Sequence, residues 1–490
     1  HYNQIEDEGA SALAEALKEN TSLTRLDLNN NKIGDNGAKA LAAALKINTS
    51  LKVLYLSINQ IGDEGVNALA EELKENTLLK ELDLSQNQIG AEGANALAEV
   101  LKTNTVLTKL NLGFNSQIGD EGAKALAEVL KENTLLTTLN LRNSKIGAEG
   151  AKALAEALKK NTSLTRLNLR WNQIGAEGAK ALAEALKKNT SLKTFDLHYN
   201  QIEDEGASAL AEALKKNTSL KDLGFSDNQI GDEGAKALTK SLKTNISLTS
   251  LDLNTNQIRD NGANALAVAL KENTSLTELD LGWNQIGDKG ARALAAALEI
   301  NTSLTMLDLY LNEIEDEGAK ALAESLKTNK SLTSLDLNNN QIENEGESAI
   351  EKALETNKSL TALDIEDNQI NPDAEDFIQH QIKRNRRLIT SGMIASITQT
   401  EDGIIVLSKP EIRDLLVMIG KGETTEEIRG NISKAIKNIS RNERGRALFG
   451  TEAVRNMLVK MGNQAGSDRA RDNIAYAIGQ ITFENNKNQA

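Results

Sequence analysis

Residues 23–50 read LTRLDLNNNKIGDNGAKALAAALKINTS, and this stretch decides the fold because variants of it fill the chain up to about residue 388. The leucines of LTRLDL alternate with polar residues, which predicts a short strand with one apolar face. The segment AKALAAAL places apolar residues at i, i+3, i+4 and i+7, which predicts a helix with one apolar stripe. Neither apolar face can be buried within one unit, so the copies must stack on each other.

An asparagine after each predicted strand marks the register, with a spacing of 28 residues. It recurs at Asn3, Asn31, Asn59, Asn87, Asn115, Asn172, Asn200, Asn228, Asn256, Asn284, Asn312, Asn340 and Asn368. Ser144 takes the place of the asparagine in one repeat, and one extra residue is inserted near Ser116 in the preceding repeat. The two changes predict a local irregularity. Because parallel strands leave backbone groups buried at their ends, the asparagine side chains are expected to satisfy the backbone of neighbouring repeats.

Units of this length with the pattern LxxLxLxxN resemble leucine-rich repeats of the ribonuclease-inhibitor-like subtype, the type also found in NOD-like receptors. The resemblance implies an α/β solenoid shaped as a horseshoe, with a parallel sheet inside and helices outside. It covers residues 1–387, which we expect to form one domain. The first residue, His1, falls within a unit, and residues 1–17 repeat residues 198–214 letter for letter, so at least one further repeat is expected upstream.

The loops after the predicted helices repeatedly spell NTS, as at Asn20 and Asn48. In a secreted protein each would be a glycosylation acceptor. We interpret them as structural, with asparagine ending the helix in a left-handed turn. This interpretation and the absence of cysteine fit a cytoplasmic protein.

The repeat pattern fails near residue 388, and residues 388–490 carry a different one. The segment IRDLLVMIG from Ile412 matches VRNMLVKMG from Val454, which resembles armadillo repeats and implies a small all-α domain. The resemblance places Asn438, Tyr476 and Gln480 on the face where such repeats bind peptides. Only Asn438 matches the residue type of that family, so a capping or docking role is the alternative. A basic run at residues 383–387 is expected to lie at a helix end.

Composition excludes several functions. The formal net charge is −14, which disfavours nucleic acid because its binding needs a basic surface. No apolar run is long enough to span a membrane. The three histidines are scattered and cysteine is absent, so we expect no catalytic residues, no metal site, no cofactor and no small-molecule substrate.

Aromatic residues make up only 3% of the chain, yet most tryptophans and tyrosines follow the predicted strands. Tryptophan, tyrosine and arginine dominate interface energetics. We therefore predict a protein-binding surface on the inner face of the horseshoe, with a second anchor further along. The first group is Arg142, Arg166, Arg170, Trp171, His198 and Tyr199, and the second is Trp283 and Tyr310. The alternative is that these rings only cover the turns and pack on each other.

Aspartates recur at the inward position between the two leucines of the strand, in a row that includes Asp252, Asp280 and Asp308. On parallel strands about 4.8 Å apart, their charges repel each other. The row is either a binding surface for a basic segment or a solvated face that keeps the protein soluble. A flat row does not surround a metal ion with the six or more oxygens that calcium prefers.

These patterns predict a non-enzymatic scaffold or recognition module that binds a protein partner on its concave face. One alternative is a regulator of a small GTPase, similar to the Ran GTPase-activating protein, although the acidic tail usual in that family has no counterpart here. A second alternative is an engineered or consensus repeat scaffold, because the repeats are nearly identical.

Overall fold

The computed structural model describes residues 3–397 and 426–439, together with the helical positions 454, 457, 458 and 461. Asn438 lies in the last described helix, whereas Tyr476 and Gln480 lie outside the described residues.

Strands and helices alternate along the chain, and each strand is three residues long. The strands are β1 Arg25–Asp27, β2 Val53–Tyr55, β3 Glu81–Asp83, β4 Lys109–Asn111, β5 Thr138–Asn140, β6 Arg166–Asn168, β7 Thr194–Asp196, β8 Asp222–Gly224, β9 Ser250–Asp252, β10 Glu278–Asp280, β11 Met306–Asp308, β12 Ser334–Asp336 and β13 Ala362–Asp364. The helices are α1 Glu6–Glu19, α2 Asp35–Leu45, α3 Asp63–Leu73, α4 Ala91–Thr103, α5 Gly119–Leu130, α6 Ala148–Leu158, α7 Gly175–Leu186, α8 Glu203–Leu214, α9 Asp232–Leu242, α10 Asp260–Leu270, α11 Asp288–Leu298, α12 Asp316–Thr328, α13 Asn344–Thr356, α14 Pro372–Ile397 and α15 Glu426–Ile439.

The 13 strands form one parallel sheet in sequence order, and equivalent positions pair, as in Leu26 with Leu54. Parallel strands lie about 4.8 Å apart, whereas packed helices need about 8–10 Å. The stack must therefore curve with the sheet on its concave side. The central residue of most strands is buried against the helices, and its two neighbours face the concave side. The predicted α/β solenoid is confirmed.

The core lies between the sheet and the helices. The predicted helical stripe is buried, with Ala38 and Leu41 at 0% exposure. Phe195 and Phe225 occupy leucine positions and are also fully buried, as their register predicts. No helix in the described ranges has the length and apolarity needed to cross a membrane.

The recurring asparagine forms the predicted ladder between repeats. The side-chain Oδ1 of Asn59 accepts the backbone N–H groups of Asn31 (3.1 Å) and Ile33 (2.9 Å) in the preceding repeat. Its Nδ2 donates to the carbonyl oxygens of Leu28 (3.0 Å) and Leu56 (2.9 Å). One buried side chain therefore satisfies backbone groups of two repeats.

The NTS asparagines form a second ladder on the other side of the strands. The Nδ2 of Asn48 donates to the carbonyl oxygens of Leu17 (2.8 Å) and Asn20 (2.9 Å), and its Oδ1 accepts the N–H of Leu51 (2.7 Å). The predicted left-handed turn is wrong, because Asn20 has φ −77° and ψ 121°. The backbone is already extended here because the chain must enter the next strand directly.

The end of the sheet is covered by α14. The basic run lies inside this helix rather than at its end, so the expected interaction with a helix dipole is wrong. Arg384 instead donates to the carbonyl oxygens of Leu354 and Asn357 near the end of α13, each at 2.9 Å. Asn385 also donates to the Asn357 carbonyl (3.1 Å) and continues the second ladder. The expected domain boundary at residue 388 falls within α14, and α15 packs against this helix.

Replacing Asn228 by alanine should lower the free energy of unfolding by about 3 kcal/mol, because several buried backbone groups lose their partner. These groups include the Asn200 N–H (3.0 Å) and the Leu197 carbonyl (2.9 Å). Denaturant titration would measure the change. Asn264→Ala, at an exposed position of α10, is the control and should change stability by less than about 0.5 kcal/mol. Equal effects of the two substitutions would contradict the role of the ladder.

Candidate protein-binding surface

Each strand leads into a turn in which the residue before the ladder position has a positive φ. These residues are Asn30, Ile58, Gln86, Phe114, Asn143, Trp171, Tyr199, Asp227, Thr255, Trp283, Leu311, Asn339 and Asp367. The left-handed region costs an L-residue about 1–2 kcal/mol, and asparagine and aspartate tolerate it best. Aromatic residues at such positions are therefore unfavourable for the backbone. Strain of this kind at exposed side chains favours a functional role.

Three of these aromatics form a cluster with two arginines, and we call Phe114, Arg142, Arg170, Trp171 and Tyr199 the aromatic–arginine cluster. The Trp171 ring lies edge to face with Phe114 (centroids 5.8 Å apart) and with Tyr199 (5.4 Å). The Arg142 guanidinium lies 4.4 Å from the centroid of Trp171 and 4.7 Å from that of Phe114. Arg170 lies 5.4 Å from the Tyr199 centroid. These contacts fix the rings while leaving Trp171 37% and Tyr199 38% exposed.

The two arginines of the cluster carry charges that are poorly compensated. The Nε atoms of Arg142 and Arg170 are buried and have no hydrogen-bond partner within the described residues. Burial lowers the pKa of Arg142, and the neighbouring charge of Arg170 lowers it further. Both guanidinium groups are cations, which donate hydrogen bonds and accept none. They are therefore positioned to interact with an anionic group.

His198 lies between the aromatic–arginine cluster and the aspartates of the sheet. Its Nε2 lies 3.4 Å from Asp196 Oδ1 and 3.5 Å from Asp252 Oδ2. Burial lowers the pKa of His198 despite the opposing effect of Asp196, so the ring is neutral at pH 7. The ring occupies this position because residue 224 is glycine: a Cβ atom there would lie 2.0 Å from the His198 Nε2.

Asp252, Asp280 and Asp308 stand on adjacent strands β9, β10 and β11, and we call them the acidic row. Burial raises the pKa of all three carboxyl groups. The charge of Asp280 contributes further at its two neighbours, and the pKa values of Asp252 and Asp308 reach about 7. No lysine or arginine in the described part of the chain forms an ion pair with the row.

The row also has a local structural role that the sequence analysis missed. Asp252 Oδ1 accepts the backbone N–H of Asn254 (2.9 Å), and Asp308 Oδ1 accepts that of Tyr310 (3.0 Å). Asn168 Oδ1 accepts the backbone N–H of Arg170 in the same way (2.9 Å). The position therefore needs a side-chain oxygen that ends the strand, and it does not need a charge. The available signal was a column that holds aspartate or asparagine in every repeat except at Tyr55 and Gly224.

Trp283 and Tyr310 form a second aromatic group beside the acidic row. Their ring centroids are 6.4 Å apart at an interplanar angle of 72°. Trp283 is 49% exposed. A Cβ atom on Gly282 would lie 2.4 Å from the Tyr310 ring, so this glycine makes the space that the tyrosine fills.

The structure places most of the predicted residues in two groups, one around Trp171 and the other around Trp283. Arg166 lies on the concave face of β6 but has no ring contact among the described residues. Its charge acts instead on Asp222, where it opposes the rise in pKa caused by burial. No group of histidine, aspartate or glutamate in the described ranges is arranged to hold a metal ion.

Comparisons with known proteins identify the repeats. A model of the TMOD/LMOD leucine-rich domain matches residues 2–122 and 115–207. A leucine-rich repeat model matches residues 216–238, 244–267, 272–295, 301–323, 328–350 and 356–374. The chain is a leucine-rich repeat protein. No curated protein sequence matches it significantly.

Solved structures similar to this leucine-rich repeat protein include internalin InlF from Listeria monocytogenes, at 24% identity and a TM-score of 0.48 over 77% of this chain and 93% of that one. The APL1 leucine-rich repeat domain has 16% identity and a TM-score of 0.41, over 76% and 80% of the two chains. Leiomodin-1 actin-binding site 2 has 24% identity and a TM-score of 0.28, over 31% and 88%.

An aspartate in the first turn of one helix caps the next helix in this leucine-rich repeat protein. Asp35 Oδ1 accepts the backbone N–H groups of Gly62 (2.7 Å) and Gly65 (2.9 Å) at the start of α3. The same arrangement occurs at Asp7, Asp63, Asp120, Asp204, Asp232, Asp260, Asp288 and Asp316. Each cap satisfies helix N–H groups that have no partner within their own helix.

Three repeats have alanine instead of the capping aspartate, at positions 91, 148 and 176. The following helices α5, α7 and α8 begin with a left-handed residue, at Gly119 (φ 56°), Gly175 (φ 62°) and Glu203 (φ 58°). These turns directly follow the three aromatics of the aromatic–arginine cluster. The change from IGDEG to IGAEG in the sequence was the available signal.

Ala176→Asp should stabilise the protein by about 0.5–1 kcal/mol, because an aspartate there can cap α8. Glu203 can adopt the required conformation, since Glu315 at the equivalent place has φ −100° and donates to Asp288 (3.0 Å). Asp204→Ala removes an existing cap and should destabilise by about 1 kcal/mol. Thermal unfolding would compare both variants, and changes of the same sign would contradict this role.

Asp308→Asn should raise the free energy of unfolding by about 1 kcal/mol at pH 8 and hardly change it at pH 4. The folded protein holds the Asp308 proton up to its pKa of about 7, whereas an unfolded chain releases it near 3.8. The stability associated with this proton is thus lost as pH rises from 4 through 7. Asparagine keeps the oxygen that ends the strand.

The matched control is Asp83→Asn, whose neighbours in the same column are Tyr55 and Asn111. It should produce little pH-dependent difference in melting temperature. A pH-independent effect of Asp308→Asn would show that charge in the acidic row does not limit stability.

Proposed function

We propose that this protein is a non-enzymatic recognition module that binds a protein partner on its concave face. The observation that carries the proposal is the aromatic–arginine cluster, where exposed rings sit on strained backbone beside two arginines whose buried Nε atoms have no hydrogen-bond partner within the described residues. Folding alone does not require these rings, because other repeats place asparagine, aspartate, threonine or glutamine at the same turn position. Their combination with arginine is typical of interface hot spots.

Preorganisation supports this function. The Trp171 ring is held between Phe114 and Tyr199 and stacked on Arg142. A partner would therefore meet side chains that have already lost most of their rotational freedom. The entropy cost of association is lower for such a surface than for a mobile one.

The acidic row and the Trp283–Tyr310 pair form the second part of the proposed surface. Carboxylates without ion pairs favour a partner segment with lysine or arginine, whose charges would replace the lost solvation. The net charge of −14 disfavours nucleic acid as the partner. His198 lies between the two groups and Arg166 lies beside the aromatic–arginine cluster, and both belong to the same proposed surface.

We infer the ribonuclease-inhibitor-like subtype, which the long repeat with a full helix supports. We also infer two domains, residues 1–387 and an armadillo-like segment 388–490, in a cytoplasmic protein. Helix α15, which packs on α14 and contains Asn438, is compatible with the helical segment.

The double variant Trp171→Asn, Tyr199→Asn should weaken partner binding at least tenfold, because both rings lie at the centre of the proposed hot spot. Asparagine suits the left-handed backbone, as Asn143 does in the neighbouring repeat. Affinity capture from the source cell, followed by mass spectrometry and titration of the captured protein, would measure the loss.

Ile58→Asn is the control, since Ile58 has the same backbone conformation and 39% exposure but lies away from the cluster. It should leave binding unchanged. Equal retention of the partner by the unsubstituted protein, the double variant and Ile58→Asn would refute the proposed surface. Capture of a small GTPase whose hydrolysis is accelerated would instead support the alternative of a GTPase regulator.

A further inference from the structure

Unpaired charges of opposite sign lie on the same concave face. Arg142 and Arg170 carry positive charge in the aromatic–arginine cluster, and Asp280 and Asp308 carry negative charge in the acidic row when deprotonated. No ion pair within the described residues joins the two groups. Four strand-to-strand steps separate β6 from β10, or about 19 Å, which is too far for direct pairing. The surface is therefore electrically polar along the solenoid.

We propose that the partner binds through one extended peptide segment that runs across the strands. An aspartate or glutamate of this segment lies against Arg142 and Arg170, and a lysine or arginine lies against Asp280 and Asp308. An extended chain advances about 3.3 Å per residue, so about six residues separate the two charged side chains. This inference rests on the proposed function and specifies the partner of the same surface.

The arginine end is suited to a single negative charge. Burial of both Nε atoms leaves the other guanidinium N–H groups as donors, and a partly desolvated cation gains more from an anion than a hydrated one. The charge of Asp196 acts on Arg142, and this carboxylate also lies 3.4 Å from His198. A doubly charged phosphate would be repelled more strongly by Asp196 than a carboxylate. The carboxylate of an acidic side chain is therefore the favoured ligand.

The acidic end combines carboxylates with aromatic faces. Trp283 is half exposed beside the acidic row, and the Tyr310 ring packs against the Trp283 ring. Lysine and arginine can lay their apolar stems on such rings while their charges reach the carboxylates. A bound cation would also favour the deprotonated form of Asp308, whose pKa of about 7 reflects burial beside Asp280.

The surface between the two ends can accept a main chain. Residue 224 on β8 is a glycine, and the His198 ring occupies the space where a side chain would stand. At the acidic end, the space beside Gly282 is filled in the same way by the Tyr310 ring. Flat rings over glycine positions provide a floor on which an extended segment can lie.

Selection of random 12-residue peptides displayed on phage against the full chain tests this inference. Enriched peptides should pair an acidic residue with a lysine or arginine about six positions away. Selection against Arg142→Gln, Arg170→Gln should lose the acidic residue, and selection against Asp280→Asn, Asp308→Asn should lose the basic one. The best synthetic peptide should bind each double variant at least tenfold more weakly, as measured by fluorescence anisotropy.

Circular dichroism melting of each double variant shows whether it is folded. Asp280→Asn, Asp308→Asn keeps the side-chain oxygens that end the strands, as Asn140 and Asn168 do, so its fold should be intact. Arg142→Lys, Arg170→Lys keeps the charge and should restore part of the preference for an acidic residue if glutamine abolishes it.

Two results would overturn this inference. One is that the enriched peptides lack the paired charges, and the other is that the variant proteins select the same charged residues as the unsubstituted protein. If such peptides still require Trp171 and Tyr199, the proposed function stands and only the charge pairing fails. If binding is independent of Trp171 and Tyr199, or no peptide is enriched, the inference fails, and the capture experiment with Trp171→Asn, Tyr199→Asn decides the proposed function separately.

Discussion

Hydrogen bonding by buried asparagines holds the repeats in register. Parallel three-residue strands satisfy only a few backbone groups, and the turns at both ends would leave others buried without partners. The Asn59 ladder position bonds to its own turn and to the preceding one, and Asn48 does the same on the other side of the strand. Each repeat therefore completes its neighbour, which explains why a thin sheet can extend over 13 strands.

The departures from this arrangement are concentrated where the proposed binding surface lies. Ser144 is too short to reach the backbone groups that asparagine bonds, and its Oγ donates to the Arg142 carbonyl oxygen at 3.4 Å. The N–H of Ile174 lies 3.4 Å from its ladder oxygen, compared with 2.9 Å for Ile146 in a capped repeat. Missing caps and left-handed helix starts thus coincide with the strained aromatics Phe114, Trp171 and Tyr199, whereas the helix after Trp283 is capped by Asp260. Local inconsistency of this kind is expected at functional sites, where stability is not the only requirement.

Electrostatics on the concave face follows from the spacing of the strands. Equivalent residues of adjacent repeats stand close together, so a repeated aspartate becomes a row of interacting carboxylates. Burial and mutual repulsion then raise the pKa of Asp252 and Asp308 to about 7. The same stacking places Arg142 beside Arg170, and the buried Nε atoms of both have no hydrogen-bond partner within the described residues. The charges of both groups can therefore act on an approaching partner even though much of the side-chain surface is buried.

The sequence by itself determined the repeat, its strand and helix, the asparagine ladder and the buried positions of Phe195 and Phe225, because these depend on periodicity and on local hydrogen-bonding needs. It indicated which side chains share the concave face, since register places them there. It misjudged the conformation of Asn20 and the setting of Arg384, because both depend on what the neighbouring repeat offers.

Only the tertiary structure decided how the side chains on the concave face meet. The edge-to-face packing of Trp171, the separation of Arg166 from the rings and the space above Gly224 all depend on distances between strands. The raised pKa of Asp308 depends likewise on burial and on Asp280 beside it. A single repeat specifies its own backbone through local chemistry, whereas rotamers, solvation and charge coupling arise only when the repeats are stacked.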